Sequence, residues 1–234
     1  KPSNWSADVV VAEGQSLGLA GLAGRISSPF LLKRSNEDVG NQLPELNVVN
    51  LSIDLHDTQS RIYETIRASM DAEVRQTIQA SGVARSQITV LSAITRLRQV
   101  CCHPALLKSD AIGKHVASAK MDHVLSMIDE LTAEGKKTVV ALEWTGMLNI
   151  LAAELDRKKI AYRVMDGSLS VKKRIDNLNE FRRSPDIPVL LMTLTVGGTG
   201  IDIPEGDAII IYSPWWNPER VKQVIARLRR EAND

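Results

Sequence analysis

Residues 188–203 read PVLLMTLTVGGTGIDI, and this stretch decides the fold class. Its first half is a continuous apolar run as far as Thr193, which predicts a short strand buried on both faces. Its second half has glycine at three of four positions, Gly197, Gly198 and Gly200. Glycines let a backbone approach a ligand closely, and exposed backbone N–H groups could cradle a phosphate. A purely structural turn fits the same pattern, so both interpretations stay open.

Strands and helices alternate on both sides of this stretch. Short apolar runs predict strands over 138–142, 161–165, 188–193 and 207–212. Helical periodicity predicts helices over 118–133, 146–157 and 171–182, and a last helix that begins at Pro218. The fold class is therefore α/β, with a parallel sheet covered by helices on both faces. Ligands of such sheets bind at the carboxyl ends of the strands, so the informative residues should follow the strands.

The first half of the chain has a different pattern. It begins with a weakly patterned, glycine-rich stretch, and alternating β-branched residues then predict a strand over 48–55. Two helical runs follow, one over 58–80 that Gly82 breaks and one over 87–102. The predicted organisation is a connector, 1–43, and one lobe, 44–234, with a helical insert at about 56–110.

The composition fits one large core and no membrane span. Of the 234 residues, 44% are hydrophobic but only 4% are aromatic, so aliphatic side chains must fill the core. Basic and acidic residues number 29 and 28, and any contact with nucleic acid must therefore come from a local patch. No apolar run approaches the roughly 20 residues of a membrane span. Adjacent cysteines rarely bridge, so Cys101 and Cys102 predict two reduced thiols in an intracellular protein.

The last helix carries Gln223, Arg227 and Arg230. Spacings of four and three put these side chains on one helical face. Arginine is always charged and its planar fork suits phosphate, so two arginines on one face indicate a contact with a phosphate group. A solvated basic helix explains the same residues, because Lys222 and Arg229 also lie on it.

The chain lacks the usual phosphate cradle of a nucleotide site. A P-loop requires GxxxxGK[ST], and neither Gly113-Lys114 nor Gly135-Lys136 has the upstream glycine and the following hydroxyl. Asp129-Glu130 imitates a magnesium-binding carboxylate pair, but its neighbours have helical period, which favours an ordinary helix. The sequence contains no cluster of histidine and cysteine residues that would predict a metal site. Because the sequence begins with Lys rather than Met and a helical pattern still runs at its end, we interpret the chain as a fragment.

Polar and aromatic residues at the ends of other elements favour structural roles. Asp166-Gly167 follows a predicted strand and favours a sharp turn. His103 ends a helix with no partner at ligand spacing, which favours capping or packing over metal binding. Trp215 and Trp216 could stack on bases, but packing is favoured.

The order of these motifs resembles the Swi/Snf branch of helicase superfamily 2. The resemblance is carried by the glycine stretch over 192–203, by IIYSPWWNP at 210–218 and by the arginine helix. Upstream it is carried by PFLLKR at 29–34, Gln59 and Tyr63, RLRQVCCHP at 96–104, AKM at 119–121 and Asp166-Gly167. The match spans about residues 29–230.

The resemblance implies the C-terminal RecA-like lobe of an ATP-dependent DNA translocase or helicase-like protein. In that family two lobes clamp ATP and Mg²⁺, the first lobe holds the P-loop, and the second supplies arginine fingers, here Arg227 and Arg230. The residues implied near the nucleotide are Gly200, Asp202 and Gln223. The residues implied near the DNA backbone are Thr145 (beside Trp144), Thr193, Gly197, Gly198 and Thr199. The implied partners are double-stranded DNA and the N-terminal lobe of the same protein, and the isolated chain is expected to be inactive. The implied location is cytoplasm or nucleoid in a bacterium and nucleus in a eukaryote.

Departures from the family pattern lie on the expected functional surface. Glu143 stands where the family has glutamine, and we expect it to repel a phosphate backbone. Thr195 replaces a lysine, Asp202 replaces an asparagine, and 231–234 does not supply the family's Gly-Gln ending. Two alternatives therefore stay open. One is a degenerate lobe used as a non-catalytic interaction module, and the other is a glycosyltransferase-like sheet that binds a nucleotide sugar.

Overall fold

A computed structural model describes residues 47–83, 85–107, 116–197, 203, 206–213 and 218–228. The first two helices are α1 (Asp57–Ser81) and α2 (Gln87–Cys102), and a 3₁₀ turn (Pro104–Leu107) follows them. The alternating region contains α3 (Ala119–Ala133), β1 (Thr138–Leu142), α4 (Thr145–Lys158), β2 (Tyr162–Met165), α5 (Val171–Arg183) and β3 (Val189–Thr193). It ends with a single helical turn α6 (Leu194–Gly197), β4 (Ala208–Ile211) and α7 (Pro218–Leu228).

The four strands form one parallel sheet in the order β2-β3-β1-β4. Every residue of β1 and β3 is buried, as the uninterrupted apolar runs predict. Side chains alternate between the two faces of a strand, so Val140 and Leu142 pack with α3 and α4. Val139 and Ala141 pack on the opposite face with α5, α6 and α7. The predicted α/β class with helices on both faces is confirmed.

Local signals set three of the helix ends. Ser118 precedes α3 and Ser170 precedes α5, and each hydroxyl accepts a hydrogen bond from an amide of the first turn. Such caps satisfy amides that have no partner inside the helix. Gly82 follows α1 with a φ of 75°, a left-handed conformation that glycine adopts without the strain a side chain would add.

The predicted strand over 48–55 is wrong. Residues 47–56 form no strand, and Val48 and Val49 are 59% and 69% exposed. Alternating β-branched residues give a preference for extended backbone, but a strand exists only where its backbone groups pair with a neighbour. This segment lines a cavity of about 350 Å³ beside Ile209 and Ile211 of β4 without joining the sheet.

The helical insert is attached to the sheet through the ends of its helices. The carbonyl of Val100 cannot accept the next hydrogen bond of its helix, because the residue four positions later is Pro104, which has no N–H. The buried amide of Gln59 in α1 donates to that carbonyl at 2.7 Å. The side-chain oxygen of Gln59 accepts from the amide of Ala119, the first residue of α3, at 3.2 Å. The side chain of Gln59 therefore supplies hydrogen-bond partners for two backbone groups that have none within their own helices.

Replacing Gln59 with leucine is expected to lower the free energy of unfolding by about 2–4 kcal/mol, because it leaves a buried carbonyl and a buried amide without partners. Chemical denaturation of the purified chain measures the change. Gln76→Leu is the matched control, because Gln76 lies on the exposed side of the same helix. Equal stability of the two variants would contradict the assigned role of Gln59.

Candidate functional site

The candidate site lies at the carboxyl ends of the strands. In the register of β1 and β3, Leu142 pairs with Thr193, so the two central strands end side by side. The segment Glu143-Trp144-Thr145 follows β1, and the turn α6 follows β3 directly. This is the edge at which parallel sheets bind ligands.

Two hydroxyl residues at this edge differ in accessibility. Thr145 is exposed in the first turn of α4, where the positive end of the helix dipole favours an anion. Thr193 is only 3% exposed, and its Oγ1 lies 3.2 Å from the Oγ1 of Thr195. The exposed hydroxyl of that pair belongs to Thr195, which the sequence analysis treated only as a departure from the family pattern. Among the described residues of this edge, Thr145 and Thr195 are thus the hydroxyl residues that a ligand would meet first.

The start of the glycine stretch is helical. Leu194 and Val196 are buried on the sheet and hold the turn α6 in place, and the turn ends at Gly197. The sequence pattern predicts a glycine loop directly after the strand, but the chain first makes this anchored turn. Four candidate residues of this stretch lie outside the described part of the chain: Gly198, Thr199, Gly200 and Asp202.

The last helix begins at Pro218, as predicted. Val224 is buried, while its neighbour Gln223 is exposed on the outer side of α7. Arg227 lies one helical turn beyond Gln223 in α7, but its side chain and the whole of Arg230 lie outside the described residues. The predicted helix is therefore confirmed for Gln223 and Arg227, and the roles of both arginines stay predictions.

The carboxylate of Glu143 forms an ion pair with a basic side chain. Its side chain is 6% exposed, and the guanidinium of Arg98 in α2 binds both of its oxygens. Burial raises the pKa of the Glu143 carboxyl, and the hydrogen bond and charge of Arg98 act in the opposite direction. Arg98 thus pairs with Glu143 across 45 residues of sequence, and the expected repulsion of a phosphate backbone by Glu143 stays a prediction.

The structural roles predicted for two other acidic residues are confirmed. Asp166 Oδ1 accepts from the amide of Ser168 at 3.0 Å and from its hydroxyl at 2.6 Å, which closes a turn. Asp129 lies on α3 and forms an ion pair with Lys158 at 2.7 Å.

His103 and the paired cysteines also have structural roles. The His103 ring is buried and its Nδ1 accepts from the amide of Ala105 at 3.2 Å, which caps the 3₁₀ turn as predicted. Burial lowers the pKa of His103. Both cysteines are free thiols, and burial raises the pKa of Cys102 to about 12, so this thiol stays protonated at neutral pH.

Two family patterns match successive parts of the sequence, and the first of these parts includes both helices of the insert. The pattern described as the helicase conserved C-terminal domain matches residues 119–232, which begin at the first residue of α3. The pattern described as the SNF2-related domain matches residues 3–106. The chain belongs to the Swi/Snf-type superfamily 2 ATPases. Within that family it is the C-terminal helicase lobe.

Solved structures agree with this assignment of the Swi/Snf-type lobe. The C-terminal domain of a Sulfolobus solfataricus SWI2/SNF2 ATPase aligns with a TM-score of 0.63 at 23% identity, over 76% of this chain and 84% of that domain. The SWI2/SNF2 ATPase core of the same organism, in complex with dsDNA, aligns with a TM-score of 0.68 at 25% identity, over 90% of this chain and 44% of that core. The RecA-like fold class predicted from the sequence is confirmed.

Curated relatives of the Swi/Snf-type lobe are much longer proteins. A putative ATP-dependent helicase/translocase of Bacillus subtilis is 29% identical over 86% of this chain and 22% of its own length. Across three relatives the chain spans from 19% to 43% of the relative's length.

The described part of the lobe contains neither a metal-binding cluster nor a membrane-spanning helix. Among these residues, no three His, Cys, Asp or Glu side chains are grouped so that they could hold a metal ion. No helix in the same part of the chain is long and apolar enough to cross a membrane. That the first lobe holds Mg²⁺ stays a prediction.

Proposed function

We propose that this lobe completes the ATP site of a DNA-dependent translocase and contacts the DNA backbone. The main support is the strand-end edge of a Swi/Snf-type lobe, where an exposed hydroxyl in the first turn of α4 lies beside the end of β3. The lobe adds to this edge a terminal helix with Gln223 and Arg227 one turn apart. The sequence has no P-loop, so this lobe supplies only half of a nucleotide site.

The nucleotide half of the proposal concerns the end of the chain. Arg227 and Arg230 act as arginine fingers that stabilise the charge developing on the transferred phosphoryl group. Gln223 positions them, and Gly200 and Asp202 lie beside the nucleotide. ATP and Mg²⁺ are held mainly by the N-terminal RecA-like lobe of the same protein.

The DNA half of the proposal concerns the strand-end edge. Thr145 contacts the phosphate backbone together with Gly197, Gly198 and Thr199, while Thr193, which is buried, supports this edge through its contact with Thr195. Backbone contacts carry no sequence information, so binding is sequence-independent and weakens as salt rises. The relative of known structure in complex with dsDNA supports duplex DNA as the partner. The protein accordingly acts wherever the cell keeps its DNA.

ATP turnover and DNA movement are coupled through the two lobes in this proposal. Bound ATP closes the lobes, and hydrolysis releases them. The second lobe carries both the arginine helix and the strand-end edge that contacts DNA. Each closure therefore moves that edge along the duplex relative to the first lobe. Repeated closure therefore moves the protein along DNA.

The isolated chain is expected to show no ATP hydrolysis above background, with or without duplex DNA, because the main phosphate cradle is missing. The full-length protein is expected to hydrolyse ATP and to be stimulated by duplex DNA. Release of phosphate, measured on both proteins side by side, checks this prediction. DNA-stimulated turnover by the chain alone would contradict it.

The same preparations test the two alternatives. A full-length protein that has an intact P-loop but shows no turnover would favour a non-catalytic interaction module. A thermal shift of the isolated chain with a nucleotide sugar, but not with ATP, would favour a glycosyltransferase-like site.

A further inference from the structure

A partly buried ion pair joins the helical insert to the turn that carries Thr145. Arg98 lies in α2, and Glu143 follows β1. Nη1 of Arg98 donates to Oε1 of Glu143 at 2.9 Å, and Nη2 donates to Oε2. The side chains are 23% and 6% exposed. A two-pronged contact of this kind fixes direction as well as distance, so it sets the orientation of the turn.

The same guanidinium also contacts the next residue. Its carbon lies 5.3 Å from the ring centroid of Trp144, a distance at which a cation is attracted to an aromatic face. Trp144 is the N-cap of α4, and its carbonyl accepts the first hydrogen bonds of that helix, from Met147 at 3.0 Å and Leu148 at 3.1 Å. Arg98 therefore contacts both residues that precede Thr145.

The charge of Glu143 matters because of its place in the chain. The carboxylate lies two residues before Thr145, at the helix end where a phosphate would approach. An uncompensated negative charge there would repel the phosphate, whereas the pair with Arg98 is neutral. The pairing therefore cancels the negative charge that Glu143 alone would place at this helix end.

We propose that Arg98 is a positioning residue for phosphate binding at the start of α4. It neutralises Glu143 and holds Trp144, so that Thr145 and the first turn of α4 meet the DNA backbone. The helical insert thereby takes part in DNA binding without touching DNA through this arginine. The inference rests on the proposed DNA contact of Thr145.

A double-mutant cycle in the full-length protein separates charge compensation from direct contact. Arg98→Met is expected to weaken binding of duplex DNA about tenfold at low salt, because the carboxylate is left unpaired. Glu143→Gln should bind at least as tightly as the wild type. The double variant should recover most of the lost affinity, since no net charge remains at the site. The loss in Arg98→Met should shrink as salt rises, because ions screen the repulsion.

Further variants and one kinetic measurement serve as controls for the double-mutant cycle. Arg96→Met removes an exposed cation from the same helix and should leave the affinity within about twofold, the size expected of a single distant charge. Arg98→Lys keeps the charge but loses the fork, and should lie between wild type and Arg98→Met. Arg98→Gln, which also removes the charge, replaces Arg98→Met in the cycle if methionine prevents folding. In ATPase assays, Arg98→Met should raise the DNA concentration for half-maximal rate and leave kcat at saturating DNA unchanged.

A double variant as weak as Arg98→Met would overturn the proposal, because it would mean that Arg98 touches the phosphate itself or only supports the fold. Loss of kcat at saturating DNA would overturn it as well. A wild type that does not bind duplex DNA would overturn the proposed function together with this inference. Simply additive effects in a wild type that does bind DNA would overturn this inference alone.

Discussion

Replacing Arg227 with alanine in the full-length protein is expected to lower DNA-stimulated ATP hydrolysis by roughly 10³–10⁵-fold, the range over which arginine fingers act in phosphoryl transfer. ATP binding should stay largely intact, because the ground-state contacts belong mainly to the other lobe. Release of phosphate gives the rate, and binding of a labelled nucleotide gives the affinity. The two measurements together distinguish an effect on the transition state from an effect on binding.

Variants on the same helix provide the controls. Arg230→Ala should produce a loss of similar kind, whereas Lys222→Ala, which removes another cation from the exposed part of α7, should change the rate little. Arg227→Lys should remain strongly impaired, since an ammonium group cannot reproduce the planar fork of arginine. Turnover of Arg227→Ala equal to that of the wild type would remove Arg227 from the finger role. Equal losses in Arg227→Ala and Lys222→Ala would indicate a general effect of charge.

Replacing Phe181 with alanine is expected to lower the free energy of unfolding by about 3–5 kcal/mol, the usual cost of removing a large buried aromatic side chain. Phe181 is fully buried where α5 packs against the sheet. Its ring also faces the ammonium group of Lys137 at 4.9 Å from the centroid. That ammonium group donates to the carbonyls of Arg182 and Ser184, both at 3.0 Å, and so caps the end of α5. The substitution removes the packing and weakens the cap.

Thermal and chemical unfolding of the purified chain measure this effect. The melting temperature should fall by roughly 6–20 °C, at about 2–4 °C for each kcal/mol in a protein of this size. Ile175→Ala is the matched control, because Ile175 lies on the same helix but is 46% exposed. Its effect should stay within about 0.5 kcal/mol, as for most surface positions. Similar losses in the two variants would show that α5 does not depend on Phe181 for its attachment.

Periodicity predicts two elements of this lobe to the residue. The helix predicted over 87–102 is Gln87–Cys102 in the structure, and the strand predicted over 138–142 is Thr138–Leu142. In both cases the local pattern and the tertiary contacts favour the same conformation. The segment 48–55 fails for the opposite reason: its alternation favours a strand, but no neighbouring backbone pairs with it.

The candidate site is predictable only in part. The order of motifs predicts which strand ends and which helix carry it, since the carboxyl ends of parallel strands meet at one edge. It does not predict that the Thr193 hydroxyl is buried against Thr195, because both faces of a strand end look alike in sequence. Nor does spacing reveal the pair of Arg98 and Glu143, which no helical or strand period connects.

The sequence by itself determined the α/β class, the parallel sheet, the place of the helical insert and the lack of a P-loop. These follow from local patterns, in which burial repeats at fixed spacing and chemistry requires fixed motifs. Only the tertiary structure decided that Gln59 joins α1 to two other helices and that Arg98 neutralises Glu143. Such contacts depend on how packed elements bring distant side chains within hydrogen-bond reach. Because the partners lie far apart in the sequence, no periodic spacing of residues predicts them.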